Sequence, residues 1–295
     1  MGSRVWSVED SARVYGLDGW GKGYVGILPE GHLAVMPERD PARRINVHEL
    51  VEGLREREIH TPVLIRFTDM LRTRMRELRD AFDAAIRENE YGGNYRCIYP
   101  IKVNQQRHLC EEVTSLSAEM GFGLEAGSKP ELLAVLGLTA AHPSMMIVCN
   151  GFKDREYVET VVLATKLGRN IVPVVERFKE LEFVVEDAQR YGVRPRIGLR
   201  IKPGSRGAGR WESSGGMRSK FGLSASETLR ALEYLKERGM ADCLNLLHFH
   251  IGSQICDIRN FKIAVSELAH IYTELSRLGA NLSMIDVGGG AWRGL

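Results

Sequence analysis

A chain of 295 residues with 44% hydrophobic and 26% charged side chains can bury a large core, and no uninterrupted apolar run approaches the roughly 18 residues of a membrane span. The formal net charge is only +2 and no long lysine or arginine block is present, which argues against a nucleic-acid or membrane-surface partner and leaves small molecules, or further copies of the chain, as expected ligands. Five widely spaced cysteines (Cys97, Cys110, Cys149, Cys243, Cys256) without a CxxC pair, and an N-terminus lacking a basic start followed by an apolar core, suit a reducing cytoplasm.

In chain order, residues 1 to 60 read unlike the rest. Two short β-like runs, Tyr24 to Leu28 and His32 to Met36, are joined by Pro29-Glu30-Gly31 and predict a hairpin. The polar stretch PERDPARR at 37 to 44 is a candidate domain boundary, and 47 to 57 is an amphipathic segment.

From Pro62 the chain alternates strand and helix. Candidate strands are Val63 to Phe67, Cys97 to Val103, Phe122 to Ala126, Met145 to Asn150, Ile171 to Glu176, Arg196 to Ile201, Leu244 to Ile251 and Leu282 to Val287. Ser128 with Glu131 and Ser224 with Glu227 have capping-box spacing, while Gly168, Gly192, Gly239 and Gly279 sit where helices should stop. The segment Gln105 to Met120 puts Leu109, Val113, Leu116 and Met120 on one face. Continuous apolar strands between amphipathic helices call for a parallel sheet covered by helices, most simply a (β/α) barrel. A doubly wound open sheet is the alternative, but the first strand lacks a GxGxxG turn.

The stretch CIYPIKVNQQR (97 to 107) carries one cation, Lys102, out of an apolar strand. Such a lysine either snorkels at the strand mouth or serves as a Schiff-base lysine, whose amine loses its proton more easily once desolvated. The stretch alone leaves both open. In a barrel, function collects at the strand exits, and here they are polar: Lys102 and Asn104, Glu125 to Ser128, Asn150, Glu176, Arg200, His248 to Ser253, and Asp286 to Gly290. Structural readings exist for some: Glu125 as a loop support, Ser128 as an N-cap, Glu176 as a partner of Arg200.

Gly288, Gly289 and Gly290 after a late strand would let backbone N–H groups approach a phosphate, although a tight turn would look the same. Together with Ser253 and the strand-end lysine they suggest a phosphorylated cofactor that offers an aldehyde, which pyridoxal 5'-phosphate satisfies. His248 and His250 flank Phe249 and so share one side of their strand. That admits a metal-dependent barrel hydrolase, but no second tight His/Asp/Cys cluster completes a coordination sphere, so an imidazole stacked on a cofactor ring with a structural neighbour fits better. The Gly- and Ser-rich stretch from Lys202 to Ser219 is either a lid over the strand ends or a surface insertion, and Trp211 inside it favours the lid.

The stretches YPIKVNQQR (99 to 107), GLEAGSKPELL (123 to 133), IVCNGFKD (147 to 154), SSGGMRSKFGL (213 to 223), LLHFHIGSQI (246 to 255) and DVGGG (286 to 290) closely resemble biosynthetic arginine decarboxylases. Those are pyridoxal-phosphate enzymes of the alanine-racemase-like fold. The resemblance implies that Lys102 holds the cofactor and that His250 stacks on its ring. It further implies that Ser253, Gly288, Gly289 and Gly290 hold the phosphate, with Arg200 near the ring and Glu125 and Glu131 around the lysine.

It also implies magnesium, a homo-oligomer (dimer or tetramer), and conversion of L-arginine to agmatine and carbon dioxide in polyamine biosynthesis. Residues 1 to 60 would then be the N-terminal piece of a second β-domain, 61 to 290 an incomplete (β/α)8-type barrel and 291 to 295 a divergent tail. On this placement Val63 to Phe67 precedes the barrel, leaving seven barrel strands and a truncated chain of doubtful activity. The readings from other classes are a non-catalytic fragment that binds decarboxylase subunits, and the metal-dependent hydrolase using His248 and His250.

Overall fold

The computed structural model describes residues 5–202, 221–252 and 258–289. The expected lid, Ser253, Gly290 and the tail therefore lie outside the described residues, apart from Lys202 at the lid's start. Two compact units divide after Tyr95.

In the first unit, α1 (Val8–Val14) starts from a full capping box between Ser7 and Asp10, and α2 (Leu17–Gly21) follows it. The expected hairpin forms as β1 (Val25–Ile27) and β2 (Leu33–Val35), paired antiparallel, and a third strand, β3 (Ile45–Asn46), adds to β2. The amphipathic segment is helix α3 (Val47–Glu56), capped by Asn46. Helix α4 (Thr68–Glu88) belongs to this unit too, because Thr73 Oγ1 donates to Pro37 O (3.3 Å) and Arg39 pairs with Glu77 (2.7 Å). The contacts thus place the division later than the composition change near residue 60.

Val63 to Phe67 is not a strand. Its apolar run satisfies the strand pattern, but Leu64 is 75% exposed, no strand among the described residues pairs with it, and the segment runs as irregular chain into α4.

The second unit is a parallel sheet of seven strands among the described residues: β4 (Ile98–Pro100), β5 (Gly123–Ala126), β6 (Ile147–Cys149), β7 (Ile171–Val175), β8 (Ile197–Arg200), β9 (Leu244–His250) and β10 (Met284–Gly288). Strand order follows sequence order from β4 to β10, the order of a barrel wall that has not closed. Helices α5 (Arg107–Met120), α6 (Lys129–Leu138), α7 (Arg155–Lys166), α8 (Phe178–Tyr191), α9 (Ala225–Glu237) and α10 (Ile258–Arg277) connect the strands. Their caps follow the sequence signals: Ser224 and Glu227 form the expected box, and Gly192 ends α8 in the left-handed region. Ser128 caps α6, but Glu131 turns its carboxylate to the N–H of Gly127 (2.7 Å) instead of returning it to Ser128.

Alternate strand residues separate two cores. Met146, Val148, Val172, Val174 and Leu246, with Ile98 and Met284, fill one side of the sheet. Val175, Ile197, Leu199, Leu247 and Phe249 pack with the helices on the other. Continuing β6, β7, β9 and β10 from this smaller core towards their C-terminal ends gives Asn150, Glu176, His248 with His250, and Asp286 with Gly288, while Gly123 and Gly198, which lie against the same core, lead on to Glu125 and Arg200. The period of two therefore puts the polar exits of the sequence on one face.

Candidate active site

Lys102 lies in the single 3-10 turn Ile101–Val103 that ends β4, with Nζ 3.3 Å from Glu125 Oε1. Of the two readings left open for this lysine, the structure shows an exposed strand-mouth cation: its side chain is 59% exposed and faces a carboxylate. Glu125 is oriented by Asn150, whose Nδ2 donates to Oε2 (2.8 Å). On the lysine's other flank Gln105 Nε2 donates to Glu131 Oε1 (3.0 Å). Because Glu131 also holds the N–H of Gly127, it ties the loop after β4 to the loop after β5.

Arg200 closes β8 and donates to Glu176 Oε2 (3.1 Å), the structural pairing foreseen for Glu176. Register then sets its neighbours: Arg200 lies opposite His248, His248 opposite Asp286, and His250 opposite Gly288. His248 is buried, with Nδ1 2.9 Å from Asp286 Oδ2, a close approach without an aligned hydrogen bond. Glu176, Arg200, His248 and Asp286 thus make a row of acid, base, imidazole and acid across four adjacent strands.

His250 projects beyond that row. Its Nδ1 accepts the N–H of Gly252 (3.2 Å), which leaves Nε2 to carry the proton of the neutral ring. Although the side chain is exposed, crowding by the strand ends lowers its affinity for a second proton, and the charges of Arg200, His248 and Lys102 add to this, so its pKa is pushed down to about 4. The ring is neutral at physiological pH, a flat face beside a cationic guanidinium.

Gly288 lies against both imidazoles: a Cβ there would come 2.7 Å from His248 Cε1, 3.2 Å from His250 Cδ2 and 3.1 Å from Phe249 O. Gly289 adopts φ 135°, a conformation that favours glycine. The backbone at the start of the glycine loop can therefore approach a ligand that a side chain would keep away. Two buried acceptors near these exits, Asn150 Oδ1 and Glu176 Oε1, have no hydrogen-bond partner among the described residues.

The structure brings Lys102, Arg200, His250, Gly288 and Gly289 to the C-terminal ends of one sheet. Ser253 and Gly290 fall outside the described residues. His248, two residues before His250 on the same strand, is buried and faces Asp286. Among the described residues no group of three or more His, Cys, Asp or Glu side chains could hold a metal. Sequence reasoning missed the bond from Asn150 to Glu125 and the contact of His248 with Asp286. The latter follows from strand register, which is not written in either strand alone.

Residues 70–294 match the family described as pyridoxal-dependent decarboxylase, pyridoxal binding domain. Biosynthetic arginine decarboxylases from Rhodopirellula baltica and Aeromonas hydrophila are 49% and 48% identical to the chain over 97% of its length, covering 42% and 45% of their own. The chain therefore spans less than half the length of these relatives. Among solved structures, the biosynthetic arginine decarboxylase of Campylobacter jejuni superposes with a TM-score of 0.83 at 33% identity, over 94% of this chain and 44% of that one. Diaminopimelate decarboxylase of Helicobacter pylori, complexed with L-lysine, gives 0.65 at 28% identity over 83% of this chain and 57% of its own. The chain belongs to the pyridoxal-dependent decarboxylases, whose pyridoxal-binding domain it matches.

Proposed function

We propose that this chain supplies the cofactor-binding part of a decarboxylase that converts L-arginine to agmatine and carbon dioxide in polyamine biosynthesis. The observation that carries the reading is the convergence of Lys102, His250 and Gly288 on one end of the sheet, with His250 and Gly288 in paired register.

The residues fit pyridoxal 5'-phosphate. Lys102, exposed at a strand exit, is the amine that would attach to its aldehyde, and Glu125 Oε1, 3.3 Å from Nζ, would orient it. His250 offers a neutral ring face, and Arg200, pinned by Glu176, keeps positive charge beside it. Gly288 and Gly289, together with Ser253 and Gly290, would hold its phosphate. When bound, the cofactor supplies the electron sink that accepts the pair left by departing carbon dioxide. The protein's share is orientation and charge.

Magnesium has no comparable fit among the described residues, and no step is assigned to it. Arginine as substrate rests on the names of the relatives that match most of the chain. A homo-oligomeric, cytoplasmic enzyme is the accompanying expectation, and among the described residues no helix is long and apolar enough to cross a membrane. Carbon dioxide release from arginine, ornithine and diaminopimelate by the intact gene product tests the substrate. Arginine should be preferred; turnover of either competitor at least as efficient would overturn the assignment.

A further inference from the structure

Lys153 and Glu180 are the most deeply buried charged pair described, their side chains 0% and 2% exposed, and no step above uses them. Burial lowers the pKa of the Lys153 ammonium and raises that of the Glu180 carboxyl, and each opposes the shift of the other. Such a pair adds little net stability, because desolvation offsets much of the Coulomb attraction. Its hydrogen bonds indicate another role.

Lys153 Nζ donates to Gly151 O (2.6 Å) and to Val174 O, and lies 3.6 Å from Glu180 Oε2. Glu180 in turn accepts the backbone N–H of Glu176 (3.0 Å) and of Lys153 itself (3.2 Å). The pair therefore joins the exit of β6 to the exit of β7.

Each exit leads to one side of the site. Next to Gly151 is Asn150, which holds Glu125, which faces Lys102. Glu176 holds Arg200. The β6 exit has little freedom to adjust: Gly151 has φ +78°, and a Cβ on it would lie 2.3 Å from Gly127 O.

We propose that Lys153 and Glu180 are positioning residues that fix the spacing between the Lys102–Glu125–Asn150 arm and the Glu176–Arg200 arm of the cofactor site. This rests on the cofactor reading given above. It also makes a claim about the protein without cofactor, so the two can fail separately.

The test uses the intact gene product carrying Lys153→Met with Glu180→Gln, a nearly isosteric neutral pair. Amide exchange is followed by mass spectrometry in cofactor-free protein, alongside a thermal melt and, with cofactor, kcat and KM. The expected result is a melt close to wild type, with exchange accelerated about tenfold in the peptides bearing Lys102 and Arg200 and unchanged in the lower half of β9. With cofactor, kcat should fall about tenfold or more while KM moves less, as for a misplaced reacting group. Wild-type exchange in both peptides with wild-type kcat would overturn the proposal, as would faster exchange spread evenly over the sheet, the sign of a purely structural pair. If the neutral pair does not fold, Lys153→Gln, which keeps one donor, is read by the same criteria. Loss of the cofactor reading itself would show in the wild type, as protein that binds no pyridoxal phosphate at Lys102.

Discussion

Lys102 and Glu125 face each other across the exits of β4 and β5, 3.3 Å apart, and Asn150 holds the carboxylate in place. Because the lysine is 59% exposed, the pair contributes little to stability, of the order of 0–1 kcal/mol for exposed ion pairs. A functional pair and a decorative one therefore differ in what their loss does. Glu125→Ala should leave the melting temperature within a few degrees of wild type, and should slow cofactor attachment and lower kcat about tenfold or more. Calorimetry and stopped-flow absorbance measure the two effects on one sample.

Gly288 makes a steric prediction. A methyl group at this position meets His248 Cε1 at 2.7 Å and the carbonyl of Phe249 at 3.1 Å, neither on a flexible side-chain end. Gly288→Ala should cost about 1–3 kcal/mol of stability, the usual range for overpacking, and weaken pyridoxal phosphate binding. Urea denaturation and a cofactor titration check both; an unchanged affinity would remove Gly288 from the phosphate site.

His250 gives a pH dependence with a definite sign. The unfolded chain binds a proton at this imidazole near the ordinary value of 6.5, whereas the folded chain resists it until about 4. Between those values the unfolded state holds more protons, so stability falls as the pH drops through the window and rises with pH across it. Above the window the ring is neutral in both states and the effect is gone. Melts from pH 4 to pH 7 should show this slope in the wild type and a shallower one in His250→Gln.

Gly151 tests the rigidity of the β6 exit. With φ +78° and a backbone oxygen 2.3 Å from where a Cβ would sit, Gly151→Ala is strained both in conformation and in space. A loss of about 2–4 kcal/mol in a denaturant melt is expected, combining the left-handed penalty with overpacking.

Much of this was legible in the sequence because period and punctuation carry the fold. The apolar runs ending on Lys102, Glu125, Asn150, Glu176, Arg200 and His250 name the strands and, through alternation, the face on which the polar ends gather. Local patterns failed where a decision belongs to tertiary context. Val63 to Phe67 has strand composition but no strand to pair with among the described residues, and α4 joins the N-terminal unit through bonds to Pro37 and Arg39 that no local pattern encodes. Lys153 reads as an ordinary polar residue after a strand until the fold buries it against Glu180. The available signal was the spacing of Glu176 and Glu180, four residues apart across the start of α8.

The proposed attachment of pyridoxal phosphate to Lys102 is tested by incubating the protein with pyridoxal phosphate, reducing with borohydride and mapping the peptides by mass spectrometry. One pyridoxyl group per chain is expected on the peptide bearing Lys102, absent in Lys102→Ala. A pyridoxyl group fixed on another lysine of the wild type, or stoichiometric labelling that survives in Lys102→Ala, would contradict it.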